Sequence, residues 1–247
     1  MARVHIGTSG WHYKHWCGPF YEDKLPASKM LPVYYQRFDT VEINNSFYRL
    51  PSAETFRCWR ESTPRGFCFA VKASRFITHM KKLKEPRNAL ENLLPRAEEL
   101  KEKLGPILFQ LPPKWTLNGE RLEEFLSALP PHHRYAFEFR EPSWHKEEIY
   151  GMLRRYNAAF CIYELNQFRS PEPITADFTY VRLHGPGGPY QGSYSARAVR
   201  GWAEKIARWG EHLKKIYVYF DNDQAGYAAQ NALELKRLVG ARERKAA

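Results

Sequence analysis

The chain has no apolar run near the roughly 20 residues that a membrane-crossing helix needs, and Met1-Ala-Arg-Val-His-Ile-Gly lacks the apolar centre of a secretory leader. No membrane partner is therefore expected. Cysteine is scarce: Cys17, Cys58, Cys68 and Cys161 form no CxxC pair, which removes support for a zinc ribbon or a thioredoxin-like motif. Scattered thiols in a chain of 247 residues fit a reducing, cytoplasmic setting. Acidic residues are outnumbered, 27 against 38 Lys and Arg, for a formal charge of +11. That balance invites an anionic partner, a phosphate-bearing small molecule or nucleic acid, although a basic solvated surface accounts for the same count. Internal repeats, linkers and composition shifts are missing as well. The chain reads as one domain over 1–240, followed by a basic tail at 241–247 expected to be flexible.

What is present is alternation. Runs rich in β-branched and aromatic residues recur at Val4–Thr8, Thr40–Asn44, Phe67–Lys72, Ile107–Leu111, Tyr135–Arg140, Ala158–Tyr163, Phe178–His184 and Ile216–Asp221. Helical patterns lie between or after them at Ser28–Phe38, Ala53–Ser62, Arg87–Leu104, Glu120–Ala128, Lys146–Tyr156, Ala196–Leu213 and Ala225–Val239. In the third of these, Leu90, Leu93, Leu94, Ala97, Leu100 and Leu104 form an apolar stripe. Asn166–Ala176, with two prolines, predicts a degenerate helix or a plain loop. Repeated β-then-α units in this length predict an α/β chain closed as a TIM-like (β/α)8 barrel.

Side chains alternate faces along a strand, so the apolar residues that cover the outside reveal what points in. With Val41, Ile43, Phe69, Val71, Phe109, Phe137, Phe139, Val181, Leu183, Val218 and Phe220 outward, the interior receives Glu42, Asn44, Lys72, Gln110, Glu138, Arg140, Arg182, His184, Tyr219 and Asp221. Barrel interiors are normally apolar and active sites gather at the carboxyl ends of the strands. Buried charges are costly unless paired, so this convergence marks a pocket; an internal ion-pair lattice is the bland alternative. Glu42, Glu138 and His184 are the expected catalytic groups. Asn44, Lys72, Gln110, Arg140, Arg182, Tyr219, Asn222 and Trp11 are the expected substrate-binding set. Three cations matching three carboxylates argue against a divalent metal, and no cofactor is implied.

Three loops should open on the same end. His184-Gly-Pro-Gly-Gly-Pro-Tyr-Gln-Gly-Ser-Tyr offers glycine amides to an anion, or merely shapes a turn, with Ser195 capping the next helix. Thr8-Ser-Gly-Trp-His-Tyr-Lys-His-Trp interleaves aromatic and basic residues, which suits base stacking or a hydrophobic plug. Ser9 has no general base that sequence can assign. Arg75, His79, Lys81, Lys82 and Lys84 would place positive charge beside the pocket.

Ile6-Gly-Thr-Ser-Gly-Trp, Val41-Glu-Ile-Asn-Asn-Ser-Phe-Tyr, Phe69-Ala-Val-Lys-Ala, Thr78-His79, Leu108-Phe-Gln-Leu-Pro-Pro, Phe137-Glu-Phe-Arg-Glu-Pro-Ser-Trp, Val181-Arg-Leu-His-Gly and Val218-Tyr-Phe-Asp-Asn occur in this order. Together they resemble the YecE-like family (domain of unknown function 72), over nearly the whole chain. The resemblance implies a TIM-like barrel and no settled reaction. Its motif positions include Glu42, Lys72, Gln110, Glu138, Arg140, Arg182 and His184. Relatives often end the eighth strand in Asn-Asn, and the departure at Asp221 argues against a catalytic role there. The expected function is a hydrolase- or lyase-like enzyme on a small anionic substrate, with a phosphorylated one among the options. The alternatives are nucleic-acid binding or endonuclease IV-like repair, and a non-catalytic metabolite sensor.

Overall fold

The computed structural model describes residues 2–246, with side chains described through residue 242. The strands are β1 (Arg3–Thr8), β2 (Thr40–Ile43), β3 (Cys68–Lys72), β4 (Leu104–Gln110), β5 (Tyr135–Glu138), β6 (Ala159–Leu165), β7 (Phe168–Arg169), β8 (Phe178–Leu183) and β9 (Lys215–Phe220). The helices are α1 (Ala27–Tyr34), α2 (Ala53–Glu61), α3 (Pro86–Ala97), α4 (Gly119–Ser127), α5 (Glu147–Arg155), α6 (Ala196–Gly210) and α7 (Tyr227–Ala246). The sheet order is β1-β9-β8-β6-β5-β4-β3-β2, with β7 paired to β6. The fold class is the TIM-like (β/α)8 barrel that the alternation predicts. α7 carries the backbone through Ala246; Ala247 and the side chains of 243–246 lie outside the described residues, and most of the expected tail falls there.

Two compact units make up the chain. The first comprises Met1–Glu42, Ile162–Ser170 and Asp177–Ala247; the second comprises Ile43–Cys161 and Pro171–Ala176. In the first unit β9 pairs in parallel with β1, Arg3 opposite Lys215 through Thr8 opposite Phe220, and with β8, Phe178 opposite Lys215 through Leu183 opposite Phe220. A bridge between Ser9 and Glu42 brings the end of β1 to β2. Gly7 permits that approach: a methyl group there would lie 2.3 Å from the Thr40 carbonyl oxygen. In the second unit β3, β4, β5 and the start of β6 run in parallel, with Gln110 opposite Glu138. The outward residues pack as their parity requires. Phe109 meets Phe125 of α4 at 4.9 Å and Phe137 at 5.2 Å, in a fully buried cluster. Truncating Phe125 to Ala should cost about 3–5 kcal/mol.

Helix starts follow side-chain chemistry. Ser52, Asn118 and Ser195 accept from the amides of Thr55, Arg121 and Ala198, capping α2, α4 and α6. Two expectations need correction. The third helix ends at Ala97, not Leu104, because the chain turns through Glu98–Lys103 with Lys101 at φ +49°. The buried Lys103 ammonium donates to the carbonyls of Arg60 (2.5 Å) in the last turn of α2 and Thr63 (2.7 Å) just past it, which holds this turn and frees Leu104 to start β4. Between β6 and β8 the chain makes a hairpin. Asn166 (φ +50°) and Gln167 (φ +66°) form the two-residue left-handed turn that matches strand twist, returning the chain as β7.

Candidate functional site

In the first unit the interior charges form a closed lattice around Arg182, which is fully buried like Glu42. Arg182 Nε donates to Glu42 Oε2 (3.0 Å), and Nη2 donates to Glu42 Oε1 (2.8 Å) and to Asp221 Oδ2 (2.9 Å). Ser9 Oγ donates to Glu42 Oε1 and the Tyr180 hydroxyl donates to Oε2 at 2.6 Å. Each Glu42 oxygen thus accepts two hydrogen bonds, which fills the lone-pair positions of a carboxylate. These contacts leave Glu42 no acceptor position for a substrate proton. Glu42 and Arg182, expected as a catalytic group and an anion holder, here pair with each other.

His184 completes this lattice. Nδ1 lies 3.0 Å from Asp221 Oδ2, and Nε2 lies 3.4 Å from Arg182 Nη1. A guanidinium only donates, so Nε2 is the acceptor in its contact with Arg182. Asp221, read from its departure from relatives as non-catalytic, stands at ion-pair distance from both Arg182 and His184. Tyr219 donates to or accepts from Thr40 Oγ1 at 2.7 Å, within the packed interior. Tyr13, not picked out by the sequence, donates to the Ser9 carbonyl at 2.7 Å. Burial, then the charges of Asp221, Asp223 and Glu42, push its phenol far above the ordinary range, so it remains a donor.

The loops of the first unit resolve in favour of shape. The amides of Gly185, Gly187, Tyr190, Gln191 and Gly192 donate to the Tyr194 hydroxyl, the Gln191 carbonyl, the His184 carbonyl, the Gly188 carbonyl and Gln224 Oε1. Those amides serve the turn, not an anion. Asn222, expected to bind substrate, donates to the Gly192 carbonyl (2.8 Å) and to Asn231 Oδ1 (3.0 Å), pinning the loop. Trp11 and Trp16 are buried, and Trp16 donates to the Asp223 carbonyl at 2.9 Å. Trp16, Phe20, Tyr34 and Phe38 follow one another at ring distances of 4.8–6.3 Å. This segment is the hydrophobic plug; its rings pack edge-on and tilted against one another and against α1.

The second unit holds a different electrostatic group. Glu138, fully buried, accepts from Arg140 Nε at one oxygen, and the Cys161 thiol approaches the other at 3.7 Å. The Lys72 ammonium sits 4.3 Å from the centroid of the Phe47 ring, a cation–π geometry. His79 meets the same ring edge-on at 5.0 Å, and Thr78 Oγ1 lies 2.9 Å from its Nδ1. Burial, then the charges of Lys72, Arg140 and Arg75, push the His79 imidazolium below the ordinary range. His79 was expected to add positive charge; instead burial, and then three neighbouring cations, disfavour its charged form. Gln110 turns its amide onto the Leu111 carbonyl (3.0 Å), and Asn44 Oδ1 is buried with no hydrogen-bond donor among the described residues.

The family described as "Protein of unknown function DUF72" matches residues 5–247. The UPF0759 protein YunF of Bacillus subtilis (strain 168) is 24% identical over 273 residues, which cover 96% of this chain and 94% of YunF. The UPF0759 protein YecE of Escherichia coli (strain K12) is 30% identical over 145 residues, 57% of this chain and 50% of YecE. Among solved structures, a DUF72 family protein from Thermotoga maritima is similar with a TM-score of 0.88 at 30% identity, covering 96% of this chain and 99% of that one. A DUF72 family protein from Enterococcus faecalis reaches 0.80 at 18% identity over 96% and 95% of the two chains, a likeness of fold alone.

Proposed function

The chain belongs to the DUF72 family, and from that premise we propose an acid–base enzyme, hydrolase- or lyase-like, that takes a small anionic substrate on the cationic group of its second unit. The observation that carries this reading is the gathering of Lys72, Arg140 and Arg75 beside His79, with Lys72 and His79 on the same Phe47 ring. Lys72, Arg140 and Arg75 all act on this ring, and Glu138 holds Arg140 in place. An anion bound to Lys72 and Arg140 offsets the part of this depression that comes from their charges. The ring then takes up a proton as substrate arrives, and becomes a general acid beside the bound anion. Glu138 acts by positioning the guanidinium. The lattice around Arg182 serves as rigid framework in this reading.

Calorimetry with inorganic phosphate, in buffers of different ionisation enthalpy, tests the binding step. Wild-type protein should take up protons on binding, and Lys72→Ala or Arg140→Ala should weaken binding at least about tenfold, the scale of one charge-assisted contact. Turnover is read on a panel of small phosphate monoesters and carboxylated compounds. His79→Gln should keep phosphate binding and lose about 10²–10⁴ in rate. Phosphate binding that is unchanged in both Lys72→Ala and Arg140→Ala overturns the proposal. Binding throughout the panel without turnover would make the protein a metabolite sensor. No helix among the described residues is long and apolar enough to cross a membrane. The buried Trp11 and Trp16 also withdraw the rings that nucleic-acid stacking would use.

A further inference from the structure

We infer that Glu98, His132 and His133 form a binding site for a zinc-class divalent ion, separate from the cationic group of the same unit. One ligand atom from each residue falls within 4.8 Å of the others. His133 Nε2 lies 2.8 Å and His132 Nε2 3.8 Å from Glu98 Oε1. Ligand atoms around tetrahedral zinc, at bonds of roughly 2.0–2.1 Å, stand about 3.3 Å apart. The two observed separations bracket that value, so a small rotation of each side chain completes the geometry. Two imidazoles and one carboxylate suit zinc and its transition-metal neighbours and suit magnesium poorly.

Local structure prepares these ligands. The adjacent histidines follow Pro130 and Pro131, whose rings limit the backbone, and the Tyr135 hydroxyl donates to the Pro130 carbonyl at 2.9 Å. The His133 ring also packs edge-on against Tyr135, which limits its rotation. Glu98 caps the carboxyl end of α3. Several other surface glutamates of this unit pair with guanidinium groups, as Glu99 does with Arg57 and Glu123 with Arg155. The ion-pair partners of Glu98 among the described residues are His132 and His133. His133 is mostly covered and His132 mostly exposed, which leaves a solvent side for a fourth, water ligand.

Glu98 precedes β4 and His133 precedes β5, so the ion would clip the amino-terminal approaches of two adjacent parallel strands. Lys72, Gln110 and Glu138 stand at the opposite, carboxyl ends of their strands. A metal here therefore acts on stability and leaves substrate binding alone.

The test uses the untagged full chain. Zinc calorimetry should show one equivalent bound, cobalt should give the visible absorption of a tetrahedral site, and magnesium should give neither. His133→Ala, His132→Ala and Glu98→Gln should each weaken zinc at least about tenfold, the scale of even outer-shell partners. Zinc should raise the melting temperature of wild-type protein and have a smaller effect on these variants. Lys72→Ala should bind zinc like wild type. Because His132 is largely exposed, His132→Ala keeps the test valid even if His133→Ala fails to fold. No uptake by wild-type protein, or uptake unchanged in His132→Ala and Glu98→Gln, overturns the inference.

Discussion

Replacing Arg182 by Leu strips the cation from two buried carboxylates at once. Glu42 keeps only the hydroxyls of Ser9 and Tyr180, and Asp221 keeps His184. Removing one member of a buried ion pair costs about 3–5 kcal/mol, because the surviving charge stays out of water without a partner. With about 2–4 °C lost per kcal/mol in a chain of this size, the melting temperature should fall by roughly 6–20 °C. Glu42→Gln supplies the control. In the wild-type background it turns one acceptor oxygen into an NH2 group facing donors, at a cost of about 1–3 kcal/mol. In the Arg182→Leu background it removes an unpaired charge and should cost less, or stabilise. The coupling between the two changes should reach about 1–3 kcal/mol. Guanidinium unfolding of the four proteins in the cycle measures both quantities. A cost below about 1 kcal/mol for Arg182→Leu, or strict additivity, would refute the lattice.

Two further outcomes can be measured on the same footing. His79, depressed below its ordinary value of 6.5 by burial, Lys72, Arg140 and Arg75, adds stability that is present above about pH 6.5 and lost as pH falls toward its folded value. His79→Gln should flatten the fall in unfolding midpoint between about pH 7.5 and 5; an unchanged slope counts against the cationic surround. Gly7→Ala should destabilise by about 1–3 kcal/mol or more, since its methyl meets the Thr40 carbonyl. Gly151→Ala and Gly201→Ala, in α5 and α6 with open space around them, should each stabilise by about 1 kcal/mol.

The fold was legible because strand alternation needs only local pattern. Arg182, with Val181 and Leu183 on either side, had to point inward, and it does. Parity names a face and never a partner, so the sequence could not separate an anion clamp from an ion-pair lattice. Arg182 proved to be lattice, while Lys72 and Arg140 joined a cationic group. His79 was read as a charge because its neutrality depends on Lys72 and on Arg140, more than 60 positions away. Tyr13 escaped, and the partner of Ser9 could not be assigned, because both follow the end of β1, where alternation stops. Family departure spoke only to catalysis at Asp221 and could not foretell its contacts with Arg182 and His184. The apolar stripe through Leu100 and Leu104 misled for a related reason: helical spacing persists past Ala97, but Lys103 finds better acceptors on α2.

The donors to Glu42 also bear on how the molecule is made. Ser9 is 33 positions away, Tyr180 is 138 and Arg182 is 140. On an emerging chain, Glu42 is synthesised long before two of the groups that let it leave water. The first unit is assembled from both ends of the polypeptide, so its interior cannot be completed until β8 and β9 have left the ribosome. Contacts so distant in sequence close slowly. Until then burial of β2 would take the Glu42 side chain out of water without most of its hydrogen-bond donors, at a cost that disfavours closing this interior early.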